Sequence, residues 1–191
     1  MNLASDEQLM LDYAQRGDYA AFERLYQRYR QPLFAFIRQK MTEAASNEVF
    51  QDVWESLISG ADRYQVPTVD ESTTEVTKHF RGYLYTIARR RIADYFRKNA
   101  ISPATEEYDL DSLLSSSDPE QEHQQDIDKR LILSCVSRLP QKQQEAFTLK
   151  QSGLAVAEIG KVLDSSFDAI KSRLRVAYQQ LRECWEKHHD R

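Results

Sequence analysis

The chain has 191 residues, 41% hydrophobic and 29% charged, which allows one compact domain or two small helical ones and disfavours wholesale disorder. With only five glycines and five prolines, long helices with few breaks are the default, and no apolar run approaches the ~20 residues that span a bilayer. The net charge of −4 conceals a segregation: residues 1–98 carry 14 Lys/Arg against 14 Asp/Glu, residues 99–128 none against nine, and residues 129–191 twelve against seven. A neutral segment, an acidic linker and a basic segment follow one another, so the pI of 5.6 hides a surface suited to nucleic acid.

The opening from Met1 to Leu11 lacks a basic segment followed by an apolar core, so no signal peptide is expected. Ser5 followed by Gln8 has capping-box spacing and predicts a helix from Asp6 to Gly17, and Asp18 caps the next. That second helix carries Phe22, Leu25, Tyr26 and Tyr29 at three-and-four spacing, is kinked or interrupted at Pro32, and resumes with Leu33, Phe34, Phe36 and Ile37. Ser46 or Asn47 caps a third helix, with Val49, Phe50, Val53, Trp54 and Leu57 inward, ending near Gly60. Residues 65–78 are polar, without a helical stripe, and read as a surface loop. A fourth helix spans about His79 to Lys98, with Phe80, Leu84, Ile87 and Tyr95 as its inward residues. Pro103, Pro119 and the run Ser115-Ser116-Ser117 then argue against structure in the linker.

Beyond the linker, Ile127, Leu131, Cys135 and Val136 form one stripe, stopped at Leu139-Pro140. Pro140 opens a helix with Ala146, Phe147 and Leu149, ending at Gly153. A short helix over Val156–Leu163, the turn Asp164-Ser165, and a final helix capped by Ser166 complete the chain, the last with Ile170, Leu174, Ala177, Leu181 and Trp185 inward. Cys135 and Cys184 stand alone inside helical patterns, so free buried thiols are expected in a reducing cytosol.

Two constellations carry chemistry. Residues 153–182 have the layout of a helix-turn-helix whose second helix presents Ser166, Phe167, Asp168, Lys171, Ser172 and Arg175 on its polar side. An exposed helix start also favours phosphate. A solvated helical hairpin would leave the same pattern. In the 79–98 helix, Arg81, Tyr83, Tyr85, Arg89, Arg90 and Arg97 interleave cations with aromatics, which suits phosphates and unpaired bases, although several such aromatics must belong to the core. Gly-rich phosphate loops, zinc spacings and acyl-transfer motifs are absent from the sequence, so neither an enzyme nor a cofactor or metal is expected.

Four segments in order resemble the extracytoplasmic-function sigma factors of the sigma-70 family. The opening Asp6-Glu7-Gln8-Leu9 through Leu25-Tyr26 is similar to the first helices of that family's promoter-melting domain. Glu48-Val49-Phe50-Gln51-Asp52-Val53-Trp54 resembles its clamp-docking helix. Phe80-Arg81-Gly82-Tyr83-Leu84-Tyr85-Thr86-Ile87-Ala88-Arg89 with Asp94-Tyr95 resembles its minus-10-reading helix, and Leu139-Pro140 through Arg173-Leu174 its minus-35-reading domain. The resemblance implies an all-α protein: a region 2-like bundle (1–98), an acidic flexible linker (99–126) and a region 4-like helix-turn-helix domain (127–191). It implies cytoplasmic work in a bacterium, with core RNA polymerase and promoter DNA as partners and no membrane insertion. The clamp would be held through Glu48, Gln51, Asp52 and Trp54.

The sequence departs from the family's pattern in three places. Met41-Thr42-Glu43-Ala44 stands where an acidic cluster is usual, Arg90 where an Asn is common, and the loop before Phe80 is longer than usual. The missing charge points to control by a Ser/Thr kinase acting on that loop, with Thr68, Thr73 and Thr74 as acceptors, since a phosphate adds about −1.5 to −2 charge. Control by an anti-sigma factor is the alternative. The rival in another class is a stand-alone helix-turn-helix regulator with an N-terminal sensor or dimerisation module.

Overall fold

A computed structural model describes residues 4–65, 79–99 and 123–189. The described residues form eight α-helices and one 3₁₀ turn, with no strand among them. They fall in two compact units, residues 1–106 and 107–191. The expected linker core and the threonines Thr68, Thr73 and Thr74 lie outside the described residues.

In the first unit, α1 spans Asp6–Arg16, α2 Tyr19–Arg38, α3 Glu43–Ser59 and α4 His79–Lys98, with a 3₁₀ turn at Ala61–Arg63. The starts and stops follow local chemistry. Ser5 Oγ accepts the Gln8 N–H at 3.2 Å, and Gly17 closes α1 in the left-handed region at φ 66°. Asp18 then accepts the N–H groups of Ala20 and Ala21. Two boundaries differ from the sequence reading. Pro32 does not interrupt α2, because Leu25, Tyr29, Leu33, Phe36 and Ile37 form one buried stripe on both sides of it. Tertiary burial offsets the hydrogen bond that proline cannot make. Helix α3 begins at Glu43 behind Thr42, and Ser46 is fully buried inside it, its Oγ donating to the Thr42 carbonyl at 2.8 Å. Helices α3 and α4 pack on each other, with Val49, Val53 and Leu57 of α3 and Phe80, Leu84, Tyr85, Ala88 and Ile92 of α4 buried in the core of this unit.

The second unit holds α5 (His123–Ser137), α6 (Gln141–Gln151), α7 (Val156–Leu163) and α8 (Phe167–His189). Helix α5 starts four residues before the expected Ile127, so residues 123–126 belong to a helix instead of the linker. Leu149, Leu154, Ile159, Val162, Ile170, Leu174 and Ala177 are its buried centre. The expectation of free thiols is corrected: Cys135 on α5 and Cys184 on α8 form a disulfide, their Cα atoms 5.8 Å apart. Packing of α5 against α8 brings together two cysteines 49 residues apart, a proximity that spacing in the sequence cannot announce. None of the described helices is long and apolar enough to cross a membrane.

Candidate nucleic-acid interface

The start of α8 is set by the turn that precedes it. Asp164 ends α7 in the left-handed region at φ 50°, which aspartate tolerates better than most residues. The Ser165 N–H donates to the Gly160 carbonyl at 2.9 Å, and Arg173 reaches back to donate to Ser165 Oγ at 3.1 Å. Ser166 Oγ accepts the Ala169 N–H at 3.3 Å and caps α8. With Ile170 and Leu174 buried against α7, the opposite face projects outward. Ser166, Phe167, Asp168, Lys171, Ser172 and Arg175 are all exposed, Phe167 by 53%. Lys171 and Arg175 stand one turn apart at the margin of a face that begins at a capped helix N-terminus, an arrangement that can hold phosphates and reach base edges.

The residues singled out on α4 separate into three groups. Tyr85 is corrected: it is fully buried, edge-on to Phe36 at 5.2 Å between ring centroids, and cannot meet a ligand from the core. Arg81 turns inward, its Nε donating to the Tyr29 hydroxyl at 2.7 Å and standing 3.7 Å from the Asp6 carboxylate. Tyr83 and Arg89 are half-buried, Tyr83 beside Tyr64 at 5.4 Å. Arg90 and Arg97 are exposed, Arg97 paired with Asp94 at 2.7 Å. The exposed positive charge of α4 therefore gathers towards its C-terminal end.

On α3, Glu48, Gln51 and Asp52 share an exposed face, and Glu55 extends it at the next helical turn. The spacing 48, 52, 55 contained that signal, which the sequence reading missed. Trp54 is corrected from that face: only 6% exposed, it lies among Phe22, Tyr26 and Phe50, with centroids 5.0 to 6.1 Å away. Met41 is also buried, whereas Ala44 is exposed. Among the described residues, no group of three or more His, Cys, Asp or Glu is placed to hold a metal ion.

A family model described as ECF sigma factor matches residues 6–187. The chain belongs to the ECF sigma factor family. Proteins of this family direct transcription initiation. The ECF RNA polymerase sigma factor BldN of Streptomyces coelicolor is 29% identical over 166 residues, which are 85% of this chain and 60% of BldN, so the chain spans under two thirds of that relative. The ECF RNA polymerase sigma factor SigK of Mycolicibacterium vanbaalenii is 28% identical over 184 residues, 92% of this chain and 87% of that protein. Among solved structures, CnrH in complex with the cytosolic domain of CnrY covers 96% of this chain and 99% of its own, with a TM-score of 0.60 and 19% identity. At that identity the likeness speaks for the ECF sigma fold alone.

Proposed function

We propose that this ECF sigma factor binds core RNA polymerase through the exposed α3 face, opens the minus-10 element with α4, and reads the minus-35 element with the start of α8. The observation that carries the reading is the face of α8: six polar, cationic or exposed aromatic side chains gathered at a capped helix start, over two turns buried against α7. The acidic segment ahead of α5 runs through the positively charged interior of the polymerase. Docking is electrostatic, with Glu48, Asp52 and Glu55 facing a basic surface of the polymerase.

Control of docking falls to phosphorylation of the 66–78 segment, at Thr68, Thr73 or Thr74, by a Ser/Thr kinase. Its support is the shortage of carboxylates around the start of α3, where Met41 is buried and Ala44, the second residue of the helix, is exposed. Core affinity measured before and after kinase treatment tests it, and phosphate incorporation with unchanged affinity refutes it. An anti-sigma factor is then the remaining control.

The test of the main reading is transcription from a promoter library by purified core polymerase with and without this chain. A stand-alone regulator would instead bind duplex DNA tightly without the polymerase. Reversing charge with Glu48→Lys and Asp52→Lys should weaken core binding by about tenfold or more, with a smaller difference at high salt. Wild-type affinity in the double variant would place the docking surface elsewhere.

A further inference from the structure

The acidic start of α1 is attached to the first turn of α4 across 73 residues of sequence. Glu7 Oε1 accepts the backbone N–H of Phe80 at 3.2 Å. That N–H is among the donors a helix start leaves without an internal partner, and such groups are ordinarily satisfied by the residues just before the helix. One residue earlier, Asp6 is 6% exposed and accepts hydrogen bonds from Arg28 and from the Tyr29 hydroxyl of α2. Arg81 completes the cluster from α4, close to Asp6 and bonded to Tyr29. Tyr64, buried beside Phe80 at 6.2 Å between centroids, closes its other side.

We propose that Asp6 and Glu7 are positioning residues for promoter opening, which rests on the reading of α4 as the strand-opening helix. Two consequences of the geometry carry this. First, the first turn of α4, whose body packs on α3, is tied to α1 by one acceptor on the Phe80 N–H and one carboxylate beside Arg81. Second, the same carboxylate holds the Arg81 cation inward, so the exposed cations of α4 are Arg90, Arg97 and Lys98, nearer its other end. DNA is thereby attracted to the C-terminal part of α4 and not to its root. A hydrophobic core would join the helices equally well, since buried ion pairs add little stability over apolar packing of the same volume. What the pair adds is a fixed helix angle and a masked charge.

The variants are Asp6→Asn and the milder Glu7→Gln, whose side chain can still accept the Phe80 N–H. Each is assembled with core polymerase and assayed for core affinity, for permanganate reactivity of minus-10 thymines on a duplex promoter, and for transcription from the same promoter with that element already unpaired. Losing a charge-assisted bond should reduce opening of the duplex about tenfold. Core affinity and transcription from the unpaired template should stay within about twofold of wild type. Asp6→Asn should also strengthen binding to non-specific duplex, because the negative charge beside Arg28 and Arg81 is removed, and adding Arg81→Ala should reduce that gain. A purely structural role predicts equal losses on both templates and no gain in non-specific binding; that result overturns the proposal, as does normal duplex opening by both variants. If Arg90→Ala with Arg97→Ala opens the duplex as well as wild type, the reading of α4 fails first, and the proposal falls with it.

Discussion

The placement of α8 can be challenged at Gly160. A Cβ built there would lie 2.8 Å from the backbone oxygen of Ser165 and 4.0 Å from Ile170 Cγ1, whereas ordinary contact begins at 3.4 Å. The turn must therefore retreat from 2.8 to at least 3.4 Å, carrying with it the residues that introduce α8. Alanine at a helical glycine ordinarily gains up to about 1 kcal/mol from propensity. Overpacking against backbone costs about 1–3 kcal/mol, because a carbonyl cannot rotate aside as a side chain can. Gly160→Ala should thus cost at most about 3 kcal/mol of stability. Its effect on DNA should be larger than its effect on folding. The shift occurs two residues before Phe167, so every group on the exposed face moves, and each lost base contact is worth about 1–3 kcal/mol. Promoter use should fall about tenfold or more with core affinity intact, and Gly160→Val should be worse than Gly160→Ala. The assays are thermal unfolding, core binding and run-off transcription with each variant. A variant with a raised melting temperature and wild-type promoter use would refute the close approach as the determinant of α8.

Two further predictions concern stability. Reduction of the Cys135–Cys184 disulfide, or Cys135→Ser with Cys184→Ser, opens a loop of 49 residues and should cost about 2–4 kcal/mol. Urea unfolding with and without reductant measures this, and an unchanged midpoint would show that the bond does not constrain the unit. Burial first, and then the hydrogen bond to Asp6, raise the Tyr29 phenol above its ordinary pKa, so the folded chain keeps a proton that the unfolded chain releases above about pH 10. Stability is intact below that pH and falls as pH rises past it, by up to about 1.4 kcal/mol per pH unit for this phenol. Tyr29→Phe should reduce the slope of unfolding free energy against pH between about 9 and 11, and equal slopes would contradict the assignment.

The parts of the fold that follow local rules were legible. Ser5, Asp18 and Ser166 cap the helices they were expected to cap, and the Val156–Leu163 helix ends where Asp164 interrupts it. The exposed start of α8 was readable because its apolar stripe leaves one polar face. Trp54 was harder, since an aromatic in an acidic segment suits a docking face as well as a core; neighbours from α2 decide the matter. Pro32 shows the converse, a strong local signal overridden by a stripe of buried side chains.

Helix α4 shows why charge and aromatic content alone could not locate a surface. Phe80, Leu84, Ala88 and Ile92 recur every four residues, and Tyr85 beside them widens the buried face enough to meet Phe36. A tyrosine in such a row is ambiguous in sequence, because its ring suits a core and its hydroxyl suits a surface. Arg81 is ambiguous in a different way. Its neighbours on α4 mark it as one more cation for DNA, and it is a carboxylate 75 positions away, on the first turn of α1, and the Tyr29 hydroxyl of α2 that draw it inward. Periodicity reports what a helix buries but not which helix covers it, and an ion pair between distant elements leaves no periodic trace. The residues whose roles changed most between sequence and structure, Arg81, Tyr85 and Trp54, are accordingly those whose partners lie on other helices. Those that kept their expected exposure on α8 are held by a turn and a cap within ten residues of themselves.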